Sequence, residues 1–418
     1  MTIFPHHVPE NHNPGWLVGH PALEPVTDAA PVRDYDTGYR GRVANDIPAT
    51  GAWLEGDDPG ERQFVDLGSI ELELGGRLPN VRLAYETWGE LNRDRSNAIL
   101  LAHALTGDSH ATSKDGKAGW WSEIVGPGKA IDTDKYFVVC PNCLGGCQGS
   151  TGAASIAPDG KPWGSRFPEV TIRDMCVAEK KLADRLGIES WEMIAGASFG
   201  GNRVMEWAAT YPEMVKSIAV LVSNAATTAE QIAWGHTQKM AVEMDPAFNG
   251  GDYYDAPDGQ GPHVGLGLAR ELAHITYRCP EELDLRFGRN EQKGENPLHG
   301  GRYAVASYLD YHARKLAVRF DANSYLTITK AWMTHDIGRG RGGTDAVVAS
   351  LPMDAIVVAV TSDRLYYPKD VEALADALPG SGPAVYVDSA YGHDGFLIEN
   401  DQVTAILKGF LERERAEA

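Results

Sequence analysis

Trp191-Glu-Met-Ile-Ala-Gly196-Ala-Ser198-Phe-Gly200-Gly-Asn-Arg-Val-Met-Glu-Trp-Ala-Ala-Thr210 is the stretch that decides the reading of this chain. Trp191–Ala195 reads as a strand, Gly196–Gly200 as a glycine turn and Gly201–Thr210 as a helix. The turn spells G-x-S-x-G. In a chain with 46 glycines the bare pattern is weak, but its place between a strand and a helix gives it weight. A serine exposed on so sharp a turn takes an unfavourable backbone conformation and leaves no room for side chains at Gly196 and Gly200. The alternative is a glycine turn that only packs a helix onto a sheet.

Outward from the turn, strand and helix alternate. Phe64–Leu67, Ser69–Leu74 and Val81–Tyr85 alternate like half-buried strands, while Ala98–Ala102 and Tyr136–Cys140 are continuous apolar runs fit for strands buried on both faces. Asp174–Leu186 carries a helical stripe of Met175, Ala178, Leu182 and Leu186, and Ser217–Val222 is a strand again. Thr227 to about Ser350 then reads as helices and loops, with helical runs at Gly267–Arg278, Ala304–Asp321 and Leu326–Met333. Strand character resumes at Ala355–Val360 and Ala384–Val387, with helices near Asp370–Ala377 and Val403–Arg415. The expected architecture is α/β, a mostly parallel central sheet flanked by helices. An extended N-terminal arm covers 1–60, the core covers 61–226 and 351–418, and a helical insertion at 227–350 sits over the C-terminal edge of the sheet.

An elbow serine needs a base, and the base needs a carboxylate to orient it, in the chain order Ser, Asp or Glu, His. Asp363 follows the strand Ala355–Val360 and His393 lies in the loop after Ala384–Val387. Asp354, Asp370 and Asp388 compete for the acid, but none comes directly after a buried strand. A lone Asp or His is more often a surface or capping residue; the ordered set Ser198, Asp363, His393 at equivalent strand ends outweighs that. Two N–H donors must then hold the oxyanion. Phe199 supplies one, and Leu105, in the loop after Ala98–Ala102, is the candidate for the other. His103 and His110 in the same region have no metal spacing and are expected to be structural.

Composition closes off other classes. The chain has 38 Lys and Arg against 58 Asp and Glu, a net charge of −20, which repels nucleic acid and anionic membrane surfaces while leaving room for a small anion beside a local Arg. Five cysteines in 418 residues are no disulfide scaffold. The first residues, Met1-Thr-Ile-Phe-Pro-His-His, show no signal-peptide pattern and no apolar run is long enough to span a bilayer. The expectation is a cytoplasmic protein. Cys140-Pro-Asn-Cys143 with Cys147 lacks a fourth ligand at similar spacing, so no metal is expected. Gly338-Arg-Gly340-Arg-Gly342-Gly343 fits a dinucleotide fingerprint only formally, since no strand precedes it.

Several stretches together resemble the homoserine O-acetyltransferase family, in the form of its actinobacterial members. They are Tyr85–Gly89, His103–Ser109, Gly126–Ile131, Leu144–Gly152, Arg166–Pro168, the elbow, Leu272–Arg278, Tyr308–Tyr311, His335–Gly343 and Tyr391–Phe396. The resemblance spans roughly residues 65–410. It implies an α/β-hydrolase fold with the insertion as a lid over a deep tunnel and a homodimer formed through that lid. It implies Ser198 as nucleophile, His393 as base and Asp363 as its partner. Arg270 would grip the amino-acid carboxylate, Tyr277 would lie on the substrate side and Asp394 would hold the α-ammonium. Acetyl-CoA would be a co-substrate, with L-homoserine as acceptor and no permanently bound cofactor. The family elbow usually reads Gly-Gly-Ser-Met-Gly-Gly; here it is Gly196-Ala-Ser-Phe-Gly-Gly201, and Tyr366-Tyr367 after Asp363 includes an extra tyrosine. The same machinery would serve L-serine as acceptor, succinyl-CoA as donor, or water in an esterase or thioesterase. A lid that excludes water favours transfer.

Overall fold

Apolar runs become the middle of one sheet in the computed structural model, which describes residues 47–113 and 116–417. The strands are β1 (Gln63–Glu71), β2 (Arg77–Trp88), β3 (Ala98–Ala102), β4 (Val125–Gly126), β5 (Ile131–Asp132), β6 (Phe137–Pro141), β7 (Met193–Ala197), β8 (Ser217–Leu221), β9 (Asp354–Val360) and β10 (Val385–Val387). Eight of them form a sheet in the order β1-β2-β6-β3-β7-β8-β9-β10, and β4 and β5 pair separately. From β6 to β10 every pairing is parallel; β1 and β2 are antiparallel at the edge. Every residue of β3, β7 and β8 is buried, as strands covered by helices on both faces must be.

Helices α1 (Ile172–Leu186), α2 (Phe199–Thr210), α9 (Pro368–Ala377), α10 (Gly395–Ile398) and α11 (Asn400–Glu417) belong to the sheet. Between β8 and β9 lie α3 (Ala229–Glu243), α4 (His263–Tyr277), α5 (Pro280–Arg286), α6 (Ala304–Ala317), α7 (Ala322–Met333) and α8 (Thr344–Val348), with no sheet strand among the described residues of that stretch. None of the helices in the described residues is long and apolar enough to cross a membrane.

Three sequence expectations shift for local reasons. The runs at Phe64–Leu67 and Ser69–Leu74 are one strand, with a register slip at Gly68 and an end at Glu71, where Gly75 and Gly76 (φ 92° and 85°) turn the chain. The strand expected at Trp191–Ala195 runs two residues further, because Gly196 and Ala197 pair with Val220 and Leu221, so it feeds straight into Ser198. The helix expected at Ala304–Asp321 stops at Ala317. Asp321 instead caps α7, accepting the Ser324 N–H (2.8 Å), and also receives hydroxyls from Thr50 (2.8 Å), Tyr253 (2.7 Å) and Tyr254 (3.1 Å).

That carboxylate also bears on the N-terminal arm expected at 1–60. Residues 1–46 lie outside those described, but the rest is anchored where core and insertion meet. Ile47, Ala49 and Ala52 are buried, the Gly51 N–H donates to Phe320 O and the Trp53 N–H to Cys147 O.

Beneath the elbow, α1 and α2 are tied by a charge pair with no solvent exposure on either side chain, Arg203 with Glu179. Arg203 Nε donates to Glu179 Oε1 at 2.9 Å, Trp207 Nε1 donates to Oε2 at 2.7 Å, and Arg203 Nη1 reaches His103 O at 3.4 Å. Breaking such a pair leaves an uncompensated buried charge. Glu179→Ala is therefore expected to cost about 3–5 kcal/mol in denaturant unfolding; a loss below about 1 kcal/mol, the range of an exposed ion pair, would contradict this account.

Candidate active site

Ser198 has φ 57° and ψ −125°, a backbone conformation rare outside glycine, at a strain of order 1–3 kcal/mol. Its surroundings enforce it. The Ser198 N–H donates to Leu221 O, and its carbonyl accepts the Asn202 N–H and the Ser223 hydroxyl (2.8 Å). A Cβ on Gly200 would stand 2.0 Å from the Ala102 carbonyl oxygen, and one on Gly196 2.6 Å from the Gly200 backbone. Only glycine fits at either position.

Asp363 and His393 meet as the chain order predicts. His393 Nδ1 donates to Asp363 Oδ2 at 2.7 Å, and Asp363 Oδ1 accepts the N–H groups of Leu365 (2.8 Å) and Tyr366 (2.9 Å). The imidazole is buried among Tyr366, Tyr277 and Phe396, with ring centroids at 5.3, 5.7 and 5.7 Å. Burial alone would depress its pKa, but the charge and hydrogen bond of Asp363, with the charge of Asp394 behind them, outweigh burial and hold it above the usual histidine value. Nε2 of His393 is buried and makes no hydrogen bond, so the expected Nε2 to Ser198 bond is not formed in this state; such bonds often tighten only with substrate in place.

Leu105, Phe199, Gln238, Tyr277, Trp332 and Leu365 line one small cavity with Ser198. Phe199 is the first residue of α2, where an N–H has no acceptor within its helix. The loop bearing Leu105 is braced by His103, whose Nδ1 bonds Ala104 O (2.8 Å) while Nε2 accepts the Cys143 N–H (3.1 Å). Burial and the Arg203 charge drop its pKa to about 3, so it is a neutral structural group. A larger cleft of about 610 Å³, walled by Trp53, Arg82, Trp163 and Tyr254, shares no residue with this cavity.

Arg270, on α4, donates to Thr106 Oγ1 (3.3 Å) and lies 5.5 Å over the Tyr277 ring. Asp394 pairs with Arg278 (3.2 Å), a partner the sequence reading missed although Arg278 directly follows Tyr277. Burial raises the Asp394 pKa, opposed by Arg278, His393 and Arg270. Thr106, Gln238, Trp332 and Tyr366 were also missed: hydroxyls, amides and aromatics carry no pattern that singles them out.

Cys140, Cys143 and Cys147 are free and buried, and burial pushes their thiols up. In the glycine-rich run, Arg339 pairs with Glu73 (2.9 Å) and Arg341 with Glu206 (2.9 Å), tying the insertion to the core. The group among the described residues close enough to share a metal is Glu61, Glu86 and His110, within 4.8 Å. Its members already bond Ser113 (2.8 Å), Ser109 (2.9 Å) and each other, His110 Nδ1 to Glu86 at 2.9 Å.

Residues 97–399 match the family model for the alpha/beta hydrolase fold. A homoserine O-acetyltransferase of Thermobifida fusca is 56% identical over 370 residues, 87% of this chain and 97% of that protein. Among solved structures, the homoserine O-acetyltransferase from Bacillus anthracis aligns with TM-score 0.77 at 26% identity, covering 84% of this chain and 97% of that one. Esterase E22 aligns with TM-score 0.77 at 27% identity, covering 84% and 99%.

A base must be neutral to take a proton, so the raised pKa of His393 sets the acid limb of any reaction it serves. Cleavage of an activated acetate ester, followed across about pH 5 to 9, should be lost as pH falls through a midpoint above the ordinary histidine value of about 6.5. Asp363→Asn removes the two larger influences that raise it and leaves only the charge of Asp394; the rate should fall on the order of 10⁴-fold. An acid limb at or below the ordinary value would reject this assignment.

Proposed function

Because the chain belongs to the homoserine O-acetyltransferase family of the α/β hydrolases, we propose that it moves an acetyl group from acetyl-CoA to the hydroxyl of L-homoserine through a Ser198 acetyl-enzyme. The observation that carries this reading is the 2.7 Å His393–Asp363 pair with a strained Ser198, Tyr277 lying between the His393 ring and the Ser198 cavity, Arg270 over the Tyr277 ring and Asp394 paired with the adjacent Arg278.

His393 Nε2 takes the Ser198 proton as Oγ bonds to the thioester carbon. The carbonyl oxygen becomes an oxyanion held by the N–H groups of Phe199 and Leu105. The C–S bond breaks, and His393 returns its proton to the departing thiolate. The homoserine hydroxyl then gives its proton to the same nitrogen and attacks the acetyl carbon; collapse releases O-acetylhomoserine and restores Ser198. Arg270 receives the acceptor's carboxylate as a two-pronged donor. Asp394 receives the ammonium, and its ion pair with Arg278 works against the burial that would protonate it. The route uses acetyl-CoA as co-substrate and no resident cofactor or metal, in a cytoplasmic setting.

Hydrolysis is the second reading, favoured by the structural likeness to esterase E22. The acceptor decides between them. Turnover of acetyl-CoA and succinyl-CoA is to be measured with homoserine, serine and water. Acetyl transfer to homoserine should dominate. Equal rates with water and homoserine would sink transfer, a serine preference would sink the homoserine assignment, and a succinyl preference would sink the donor. Ser198→Ala should lose roughly 10⁴-fold or more in kcat. Arg270→Ala should cost about 2–5 kcal/mol in kcat/KM for the acceptor by stranding its carboxylate, with acetyl-enzyme formation much less affected.

The insertion is also the surface for a second copy of the chain. Leu268 and Ile275, seven residues apart on α4, and Tyr311 on α6 are exposed, where a monomer in water gains nothing from them. Light scattering should give twice the 45.3 kDa chain mass; the monomer mass would remove the dimer from this reading.

A further inference from the structure

The end of α4 is pressed against the loop that carries His393. A Cβ on Gly392 (φ 66°) would stand 2.4 Å from the Tyr277 carbonyl oxygen and 3.0 Å from Cys279 N. The Cys279 thiol donates to Ala390 O at 2.9 Å, and Arg278 pairs with Asp394 at 3.2 Å. With the Tyr277 ring against His393, each of Tyr277, Arg278 and Cys279 meets the segment 390–394.

Arg278 is held from both sides of its guanidinium. Nη2 faces Asp394 Oδ2, and Nε donates to the Tyr308 hydroxyl on α6 at 3.1 Å. The group is planar and rigid, so fixing these nitrogens sets the direction of the whole fork. Arginine only donates, so the phenolic oxygen accepts from it, and the phenol's own proton is left for His274 Nδ1, 3.4 Å away. The Tyr308 ring is wedged between Phe287 (centroids 5.1 Å apart), His312 (4.5 Å) and the Arg286 guanidinium (4.8 Å), so the hydroxyl has a fixed seat between α4 and α6. On the other side of the pair, Asp394 is only partly buried, and among the described residues no hydrogen bond reaches its Oδ1.

We propose that Tyr308 is a positioning residue for the acceptor: by holding Arg278 at Nε it commits Nη2 to Asp394 Oδ2 and leaves Oδ1 to receive the substrate's ammonium. The inference rests on the reading of Asp394 as the ammonium site. A carboxylate turns with the fork it pairs with, so a guanidinium freed at Nε no longer aims Oδ1. Arg278 is also the largest influence against the burial that raises the Asp394 pKa, so the same grip keeps the carboxylate charged. Tyr308 touches neither the reacting atoms nor Asp394 itself; it acts through the arginine.

The test compares acceptors that differ only at the ammonium, L-homoserine and γ-hydroxybutyrate, each acetylated from acetyl-CoA. Tyr308→Phe keeps the ring and removes the hydroxyl. Its kcat/KM for homoserine should fall about five- to tenfold relative to that for γ-hydroxybutyrate, the loss that one hydrogen bond of ordinary strength accounts for. A merely structural tyrosine would lower both acceptors alike or neither, and either result overturns the proposal. Arg278→Lys keeps the charge beside Asp394 but has no Nε for the phenol to hold. It should show the same selective loss, and adding Tyr308→Phe to it should cost nothing further. An unaltered preference in Arg278→Lys overturns the proposal by itself, even if Tyr308→Phe does not fold, and a full additional loss in the double variant overturns it too. Asp394→Asn separates the inference from the reading beneath it. If that variant lowers both acceptors alike, Asp394 is not the ammonium site and both fall; if it is selective against homoserine while Tyr308→Phe is not, the inference falls alone.

Discussion

Helix α2 can begin where it does because only hydrogen stands between Gly200 and the end of strand β3. A methyl group there would overlap the Ala102 carbonyl oxygen at 2.0 Å. That approach makes the turn after β7 short enough to force Ser198 to a positive φ, and the strain needs opposition from all sides to persist. The β7–β8 ladder fixes the incoming strand through Gly196 and Ala197. The buried Arg203–Glu179 pair fixes the outgoing helix from below. A buried ion pair adds little net stability against an apolar substitute; its value here is geometric, since it joins α1, α2 and the backbone of His103 in one network.

Parallel pairing does the rest of the gathering. In parallel strands all carboxyl ends lie on one edge, so the residues after β3, β7, β9 and β10 become neighbours however far apart they are in the chain. Leu105, Ser198, Asp363 and His393 occupy those positions. The insertion is fastened over this edge by buried polar contacts. Asp321 collects three hydroxyls and an N–H from three segments, and the Asn202–Asn224–Gln231 chain joins α2 to α3. Arg270 and Tyr277 therefore arrive on a helix whose seat is set by directional bonds, and such seating is what close recognition requires.

How far the sequence could be read follows from which forces are local. Buried strands advertise themselves as apolar runs, and the elbow as glycines around a serine, because sterics between adjacent residues demand them. The ordered Asp363 and His393 are legible for the same reason, each lying just past a strand. The end of α6 was misread because Ala304–Asp321 keeps helical periodicity, while the event that breaks it, Asp321 turning to Thr50 and Tyr253, spans 271 and 68 residues. Arg278 as the partner of Asp394 and Tyr366 as the ring stacked on His393 were hidden likewise: each is a contact between elements, with no trace in spacing. Arg270, Tyr277 and Asp394 could be named only through family resemblance; from the residues alone, Arg270 reads as a solvated face of α4.

The fold leaves one choice open, and on the proposed reading charge decides it. Esterases and acetyltransferases share this architecture at similar TM-scores, so the serine, its base and the oxyanion donors cannot by themselves select an acceptor. Water outnumbers any amino acid in solution, and an acetyl-enzyme open to it is hydrolysed. Transfer wins only if the alcohol is held against the acyl carbon with an effective concentration far above that of the solvent; a well-oriented bound group reaches about 10⁵ M or more. Holding homoserine that firmly takes contacts at both of its charged ends, because a single ion pair leaves the hydroxyl free to swing. On the proposed reading Arg270 and Asp394 would be those contacts, in a chain whose net charge of −20 would otherwise repel a carboxylate. They also lie on different parts of the molecule, Arg270 on the insertion and Asp394 next to His393 in the core. An acceptor spanning both would fasten the insertion to the core while its hydroxyl reacts, and a water molecule, which can reach neither, would gain no such hold.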